Sequence, residues 1–140
     1  MRGEYKSTLD AKGRMNFPVK LREELGEVFM VSKTVAKEKS ITLYRKEDWD
    51  ELEKKLDSLP ATQTAKLRRF LITSSFEIEP DKQGRALIPP PLREYAGLKD
   101  DIVIVGVGKY AEIWDKTAWD AMNDSVDTEE LVNAAMELGI

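Results

Sequence analysis

Polar and apolar residues change their spacing along this chain in a definite order, and each spacing predicts an element. "EYKSTLD" alternates with a period of two, placing Tyr5, Ser7 and Leu9 on one side, and ends in a turn rich in Asp, Lys and Gly. "RMNF" alternates again, with Met15 and Phe17 on one face. Pro18 then leads a short helix, where a first turn tolerates a missing N–H, and Gly26 suits its left-handed end. "VFMV" (28–31) reads as a buried strand, "LYR" as a second strand, and Trp49, Leu52, Leu56 and Leu59 fall at helical spacing until Pro60 stops them. "TQTAKLRRFLITSS" predicts another helix with Leu67, Phe70 and Leu71 on one side. At the end of the chain, Asp127 and Glu130 make a capping-box pattern before Leu131, Ala134, Ala135 and Leu138. These helical stripes read as packing or subunit surfaces.

The order of elements then repeats. "DAKGRMNFPVKLREELG" (10–26) and "DKQGRALIPPPLREYAG" (81–97) agree at 8 of 17 positions when slid by 71 residues. Chance gives roughly one identity at ordinary residue frequencies. The match continues as "VFMV" against "IVIV" (102–105), and as "LYRKEDW" (43–49) against "IWDKTAW" (113–119). Each half therefore reads strand, Gly turn, strand, Pro-led helix, buried strand, strand, helix start. Halves of about 45 strand-rich residues bury too little surface to stand alone, so their strands are expected to interleave into one barrel-like core. Val28–Val31 and Ile102–Val105 belong at its middle.

Composition narrows the chemistry. The 140 residues hold no cysteine and no histidine, which removes thiolate chemistry, the usual general base and the commonest metal ligand. No run approaches the roughly 18 apolar residues of a membrane span, and "MRGEYKSTLD" has no hydrophobic signal region. The economical expectation is a cytoplasmic protein. The net charge of −4 is unevenly spread. Residues 1–22 carry six basic side chains against two acidic ones, and residues 100–140 carry ten acidic against two basic. An acidic tail masks a basic face in the total.

The D-x-x-G-R turn is the sharpest motif. Asp10 and Asp81 are expected to tie the turns to Arg14 and Arg85, while Gly13 and Gly84 supply a positive φ. On the functional side, the same turns project Lys12, Arg14, Lys82 and Arg85 as a doubled basic patch for phosphates, with Arg2 and Lys6 next in line. An aspartic dyad needs a small hydroxyl residue after each Asp, and Ala11 and Lys82 stand there. "GVGKY" at 106–110 lacks the first glycine and the hydroxyl residue of a phosphate loop. Ser7, Thr8 and Ser74 have no histidine to activate them, and no acidic spacing fits a metal loop. An enzyme is not expected, nor a cofactor, a metal or a small-molecule substrate.

"GEYKSTLDAKGRMNFPVKLREELG", "EKKLDSLP", "DKQGRALIPPPLREYAGL" and "IVIVGVGKYAEIWDKTAWD" together resemble the MraZ family. This family comprises bacterial regulators associated with the division and cell-wall gene cluster. The likeness runs from Gly3 to about Asp124. It implies an α+β, mainly β, fold: AbrB-like swapped-hairpin units at 5–47 and 76–119, a helical linker at 48–75 and a helical tail at 120–140. The units would interleave as an intramolecular pseudo-dimer barrel. It also implies ring-like homo-oligomers, nucleoid association, and transcriptional regulation by binding promoter direct repeats in double-stranded DNA. The motif's Asp falls on Asp10 and Asp81, and its Arg on Arg14 and Arg85. Its basic turn residue falls on Lys12, whereas Gln83 takes that place in the second copy and Lys82 comes one residue earlier. The alternative is an AbrB-like antitoxin that grips a protein partner. Two copies and a helical tail favour the regulator.

Overall fold

The computed structural model describes residues 1–140. The first period-two stretch forms β1 (Arg2–Thr8), and the chain turns at Asp10–Gly13 into the short β2 (Arg14–Asn16). Pro18 caps α1 (Val19–Leu25), and β3 (Phe29–Lys33) and β4 (Ile41–Arg45) follow. Next come α2 (Lys46–Ser58) and α3 (Ala61–Thr73), broken apart at Leu59 and Pro60. The second repeat then runs β5 (Phe76–Ile78), β6 (Arg85–Leu87), α4 (Pro90–Tyr95), β7 (Asp101–Val107), β8 (Ala111–Asp115) and α5 (Lys116–Asp124). A last helix, α6 (Thr128–Glu137), is N-capped by Asp127, whose carboxylate accepts from the Glu129 N–H. The result is an α+β protein with one large antiparallel sheet and six helices. No helix is long and apolar enough to cross a membrane.

The sheet has the order β1-β7-β8-β4-β3-β5, and β2 pairs only with β6. Both repeats thus lend strands to each other. β1 of the first half lies along β7 of the second, with Tyr5 opposite Ile104. In return, β5 of the second half lies along β3 of the first, with Phe29 opposite Ile78. At the centre β4 meets β8, with Ile41 opposite Ile113. The expected barrel is not closed: β1 and β5 are the two edges of an open sheet, and the β2–β6 ribbon is a separate ladder. The reason lies in the lengths. β2, β5 and β6 have three residues each, too short to carry pairing on both sides around a closed wall.

The main core draws on both halves, joining Met15, Phe17, Leu21 and Phe29 to Ile88, Leu92, Ile102 and Ile104. Phe17 and Phe29 meet edge to face at 5.2 Å between centroids. Alternation in β7 sends Ile102 and Ile104 into this core, and Val103 and Val105 onto Trp114 on the other face. Val28 precedes β3, so Phe29 and Val31 are the residues of that run that reach the core.

The helical stripes fare differently. Leu56 is buried with Tyr44, Trp49 and Leu71 inside this chain, and the half-buried Leu52 packs against the same cluster, so the α2 stripe serves packing within the chain. In α3 the inner side is Thr64 and Leu71, while Leu67 turns outward, because α3 lies on β3 and α2 rather than between layers. By contrast α6 buries nothing, and Leu131, Met136 and Leu138 are 58%, 70% and 76% exposed.

Candidate nucleic-acid interface

Both D-x-x-G-R segments fold into the same structure. Asp10 Oδ1 accepts the backbone N–H groups of Lys12 and Arg14, each at 2.9 Å, and Oδ2 accepts Arg14 Nε at 2.8 Å. Asp81 Oδ1 accepts those of Gln83 and Arg85 at 2.9 and 3.0 Å. The peptide ladder matches too: the Gly13 and Gly84 N–H groups each donate to the carbonyl of their Asp at 2.9 Å. Gly13 and Gly84 have φ of 82° and 81°, a region open to glycine and strained for other residues. The copies differ in one contact. Arg85 Nε stands 3.5 Å from Asp81 Oδ2, and this buried nitrogen makes no hydrogen bond.

Each turn is held from behind by the opposite repeat. The Phe17 N–H donates to the Gly84 carbonyl and the Ile88 N–H to the Gly13 carbonyl, both at 2.9 Å. The Arg93 guanidinium lies against Gly13, so that a Cβ there would be 2.3 Å from Cζ, and Arg22 lies likewise against Gly84 at 2.5 Å. Arg22 and Arg93 are anchored through Nε to the Phe17 and Ile88 carbonyls at 3.0 and 2.9 Å. Reading the motif alone misses these two arginines. The signal was their identity between the repeats at a half-buried helix position. Glycine at the turn thus serves twice, through its φ and through the room it leaves for a cation.

Within the ribbon, Arg14 pairs with Leu87 and Asn16 with Arg85. The two arginines therefore sit at opposite ends of a three-residue ladder, about 7 Å apart along it. Their side chains are 40% and 41% exposed. Arg14 spends one N–H on Asp10, and its other guanidinium donors make no hydrogen bond within the chain. Lys12 and Lys82 are exposed in the turns themselves. Lys6, near the end of β1, borders the second turn at Gln83. Arg2 is not brought to this face. It lies at the far end of β1, opposite Val107 and about 20 Å from Thr8.

The Arg14 backbone N–H, above all, holds the Asp10 carboxyl below the usual carboxylate range, and the Arg85 backbone N–H does the same for Asp81. A carboxylate with a depressed folded pKa stabilises the fold above its unfolded value of about 3.9, and that contribution is lost as pH falls through the lower, folded value. The carboxylates' contribution to the turns is therefore present at neutral pH and falls away below the ordinary carboxylate range. In an NMR titration from pH 6 to pH 2, the Lys12 and Gln83 amide shifts are expected to move with midpoints below 3.9. Midpoints at or above that value would show that the carboxylates do not hold the turns.

The MraZ protein family model, whose description calls it antitoxin-like, matches residues 1–70 and again residues 71–138. The chain belongs to the MraZ family. A protein of Acetivibrio thermocellus named transcriptional regulator MraZ is 42% identical over 99% of this chain and 98% of its own length. A second so named, from Syntrophomonas wolfei, is 41% identical over the same shares, and one from Clostridium botulinum is 43% identical, again over the same shares. The named MraZ members are regulators of transcription and not enzymes. A solved structure, the solution structure of PHS018 from Pyrococcus horikoshii, aligns with 80% of the chain and 86% of its own at 14% identity and a TM-score of 0.32, too low to inform the fold.

Proposed function

We propose that this MraZ-family chain regulates transcription by binding double-stranded DNA through its two turns, acting in the cytoplasm at the nucleoid. The observation that carries this reading is the pair of rigid, Asp-tied turns. Each presents a guanidinium to solvent at one end of a ribbon, backed by a second arginine from the other repeat. Charge-assisted contacts of guanidinium to phosphate are strong, and pre-ordered turns lose little entropy in making them. In this reading Lys12 and Lys82 add flanking phosphate contacts, and Lys6 extends the face past the second turn. The acidic tail, from Asp124 onward, faces away from the DNA in this reading.

A ring-like homo-oligomer would display the turns side by side on tandem direct repeats upstream of a division and cell-wall cluster. Support comes from α6. A ten-residue helix is marginal in water by itself, and this one exposes its whole apolar stripe. Contact with a neighbouring subunit through Leu131 and Leu138 would cover it.

The test is DNA affinity as a function of salt for Arg14→Ala and Arg85→Ala. If the arginines meet phosphates, each variant weakens all DNA sequences alike and lowers the log–log salt slope by about 0.9. If one reads a guanine edge, the loss is sequence-selective, about 1–3 kcal/mol. A folded double variant with unchanged binding would move the interface elsewhere. Absence of DNA binding by the unaltered chain would instead favour the antitoxin-like alternative, in which a protein is the partner.

A further inference from the structure

The two ends of this internally repeated body differ where the sequence match lapses. Moving along by 71 residues, Lys6 is replaced by Glu77, Thr8 by Glu79 and Asn16 by Leu87. On the second-repeat side, Lys46 Nζ donates to Glu77 Oε1 at 2.5 Å, so local charge is neutralised. On the first-repeat side the same positions line an open cleft of about 880 Å³. It lies between the end of β1, the end of β2, α1, the second turn and the start of α5. Lys6, Arg22 and Lys116 line it against one carboxylate, Asp101. Lys116 is already held by both oxygens of Asp120 at 2.5 Å. Lys6 and Arg22 have no carboxylate partner, and Arg22 spends only Nε, on the Phe17 carbonyl. Asn16 and Gln83 add amides to the walls.

We propose that this cleft is a phosphate-binding site, present in the first repeat and lost from its image in the second. With Lys116 held by Asp120, Lys6 and Arg22 outnumber the one remaining carboxylate, Asp101, so the cleft keeps a net positive charge that attracts an anion. Guanidinium and ammonium donors flanked by amides and hydroxyls match phosphate oxygens, and the volume falls within the ~300–1,000 Å³ range typical of small-molecule sites. The phosphate is carried by a free molecule of nucleotide size or by DNA backbone running past Gln83. The site goes beyond the role proposed for the turns. Its free-ligand form stands even if the turns do not bind DNA.

The experiment has two arms on the full chain. In the first, pyrophosphate is titrated while the amide signals of Ser7, Thr8, Asn16 and Gln83 are followed by NMR. Saturable shifts confined to these residues are expected. They should weaken at least about tenfold in Lys6→Glu and in Asn16→Leu, which install the second repeat's side chains, with melting temperatures unchanged. Should Lys6→Glu fail to fold, Lys6→Gln serves. In the second arm, the salt slope of DNA binding is measured for the same variants. Saturable pyrophosphate binding with unchanged DNA slopes identifies a free ligand. A DNA slope lowered by about 0.9 in the Lys6 variant, without pyrophosphate saturation, identifies the DNA backbone. Shifts spread over all basic residues, or no effect in either arm, would overturn the site.

Discussion

Probes carrying three correctly spaced copies of the target repeat are expected to bind about 10²–10⁴-fold more tightly than probes carrying one. A single chain offers only the few cations of its two turns, and its net charge of −4 opposes approach to DNA. Once one subunit of an assembly docks, its neighbour binds intramolecularly, so avidity rises without any new kind of contact. The gain depends on matching geometry. Inserting about 5 bp between repeats rotates the next site to the opposite side of the duplex and should remove most of it. Gel shift on one-, two- and three-repeat probes measures the first effect, and spacer variants the second. Leu131→Asp with Leu138→Asp, which charges the exposed stripe of α6, should keep single-repeat binding and lose the gain. Affinity indifferent to repeat number and spacing would end the multivalent reading while leaving DNA binding itself intact.

Cutting the chain at its linker is expected to abolish the fold altogether. Residues 1–60 would leave β1 without β7, β4 without β8 and β3 without β5. The core would be divided as well, with Phe17 and Phe29 separated from Ile102 and Ile104. Pieces this small, stripped of their ladder partners, cannot bury enough surface to offset chain entropy. Expressed separately, residues 1–60 and 61–140 should give collapsed amide spectra or concentration-dependent aggregates. Mixing them should restore dispersion. A well-dispersed monomeric spectrum from either piece alone would contradict the exchange of strands.

Features encoded by neighbours in sequence were the readable ones. The order of elements followed from local periodicity, and the turn geometry followed from Asp10, Gly13 and Arg14, all within five residues. Exchange of strands was inferred from the size of each half, and the pairing of β1 with β7 agrees with it. Closure of the sheet depends on long-range ladders and on the short lengths of β2, β5 and β6, which periodicity does not report. The Leu56 and Leu131 stripes look alike in sequence, yet one is covered by Tyr44 and Leu71 and the other by nothing within the chain. Arg22 and Arg93 escaped notice at the interface because each acts on the turn of the opposite repeat, 62 and 80 residues away at Gly84 and Gly13. Arg2 belongs to the same basic N-terminal run as Lys6. Seven residues of extended strand carried it away from the turns.

Exchange of strands also sets a timetable for birth on the ribosome. β1 is made first, but its ladder partner ends at Val107, so it waits for roughly 100 further residues. At about 5–20 residues per second that interval lasts about 5–20 s. Throughout it β1 has no ladder partner, and until Ile78 is made the place beside β3 is unfilled too. Nascent chains of this protein on neighbouring ribosomes are therefore each other's ready partners, since any copy's β7 or β5 fits the vacancy. The α2–α3 linker then works in time as well as in space. By tethering the right partner to the waiting strands, it favours closure within one chain over exchange between two.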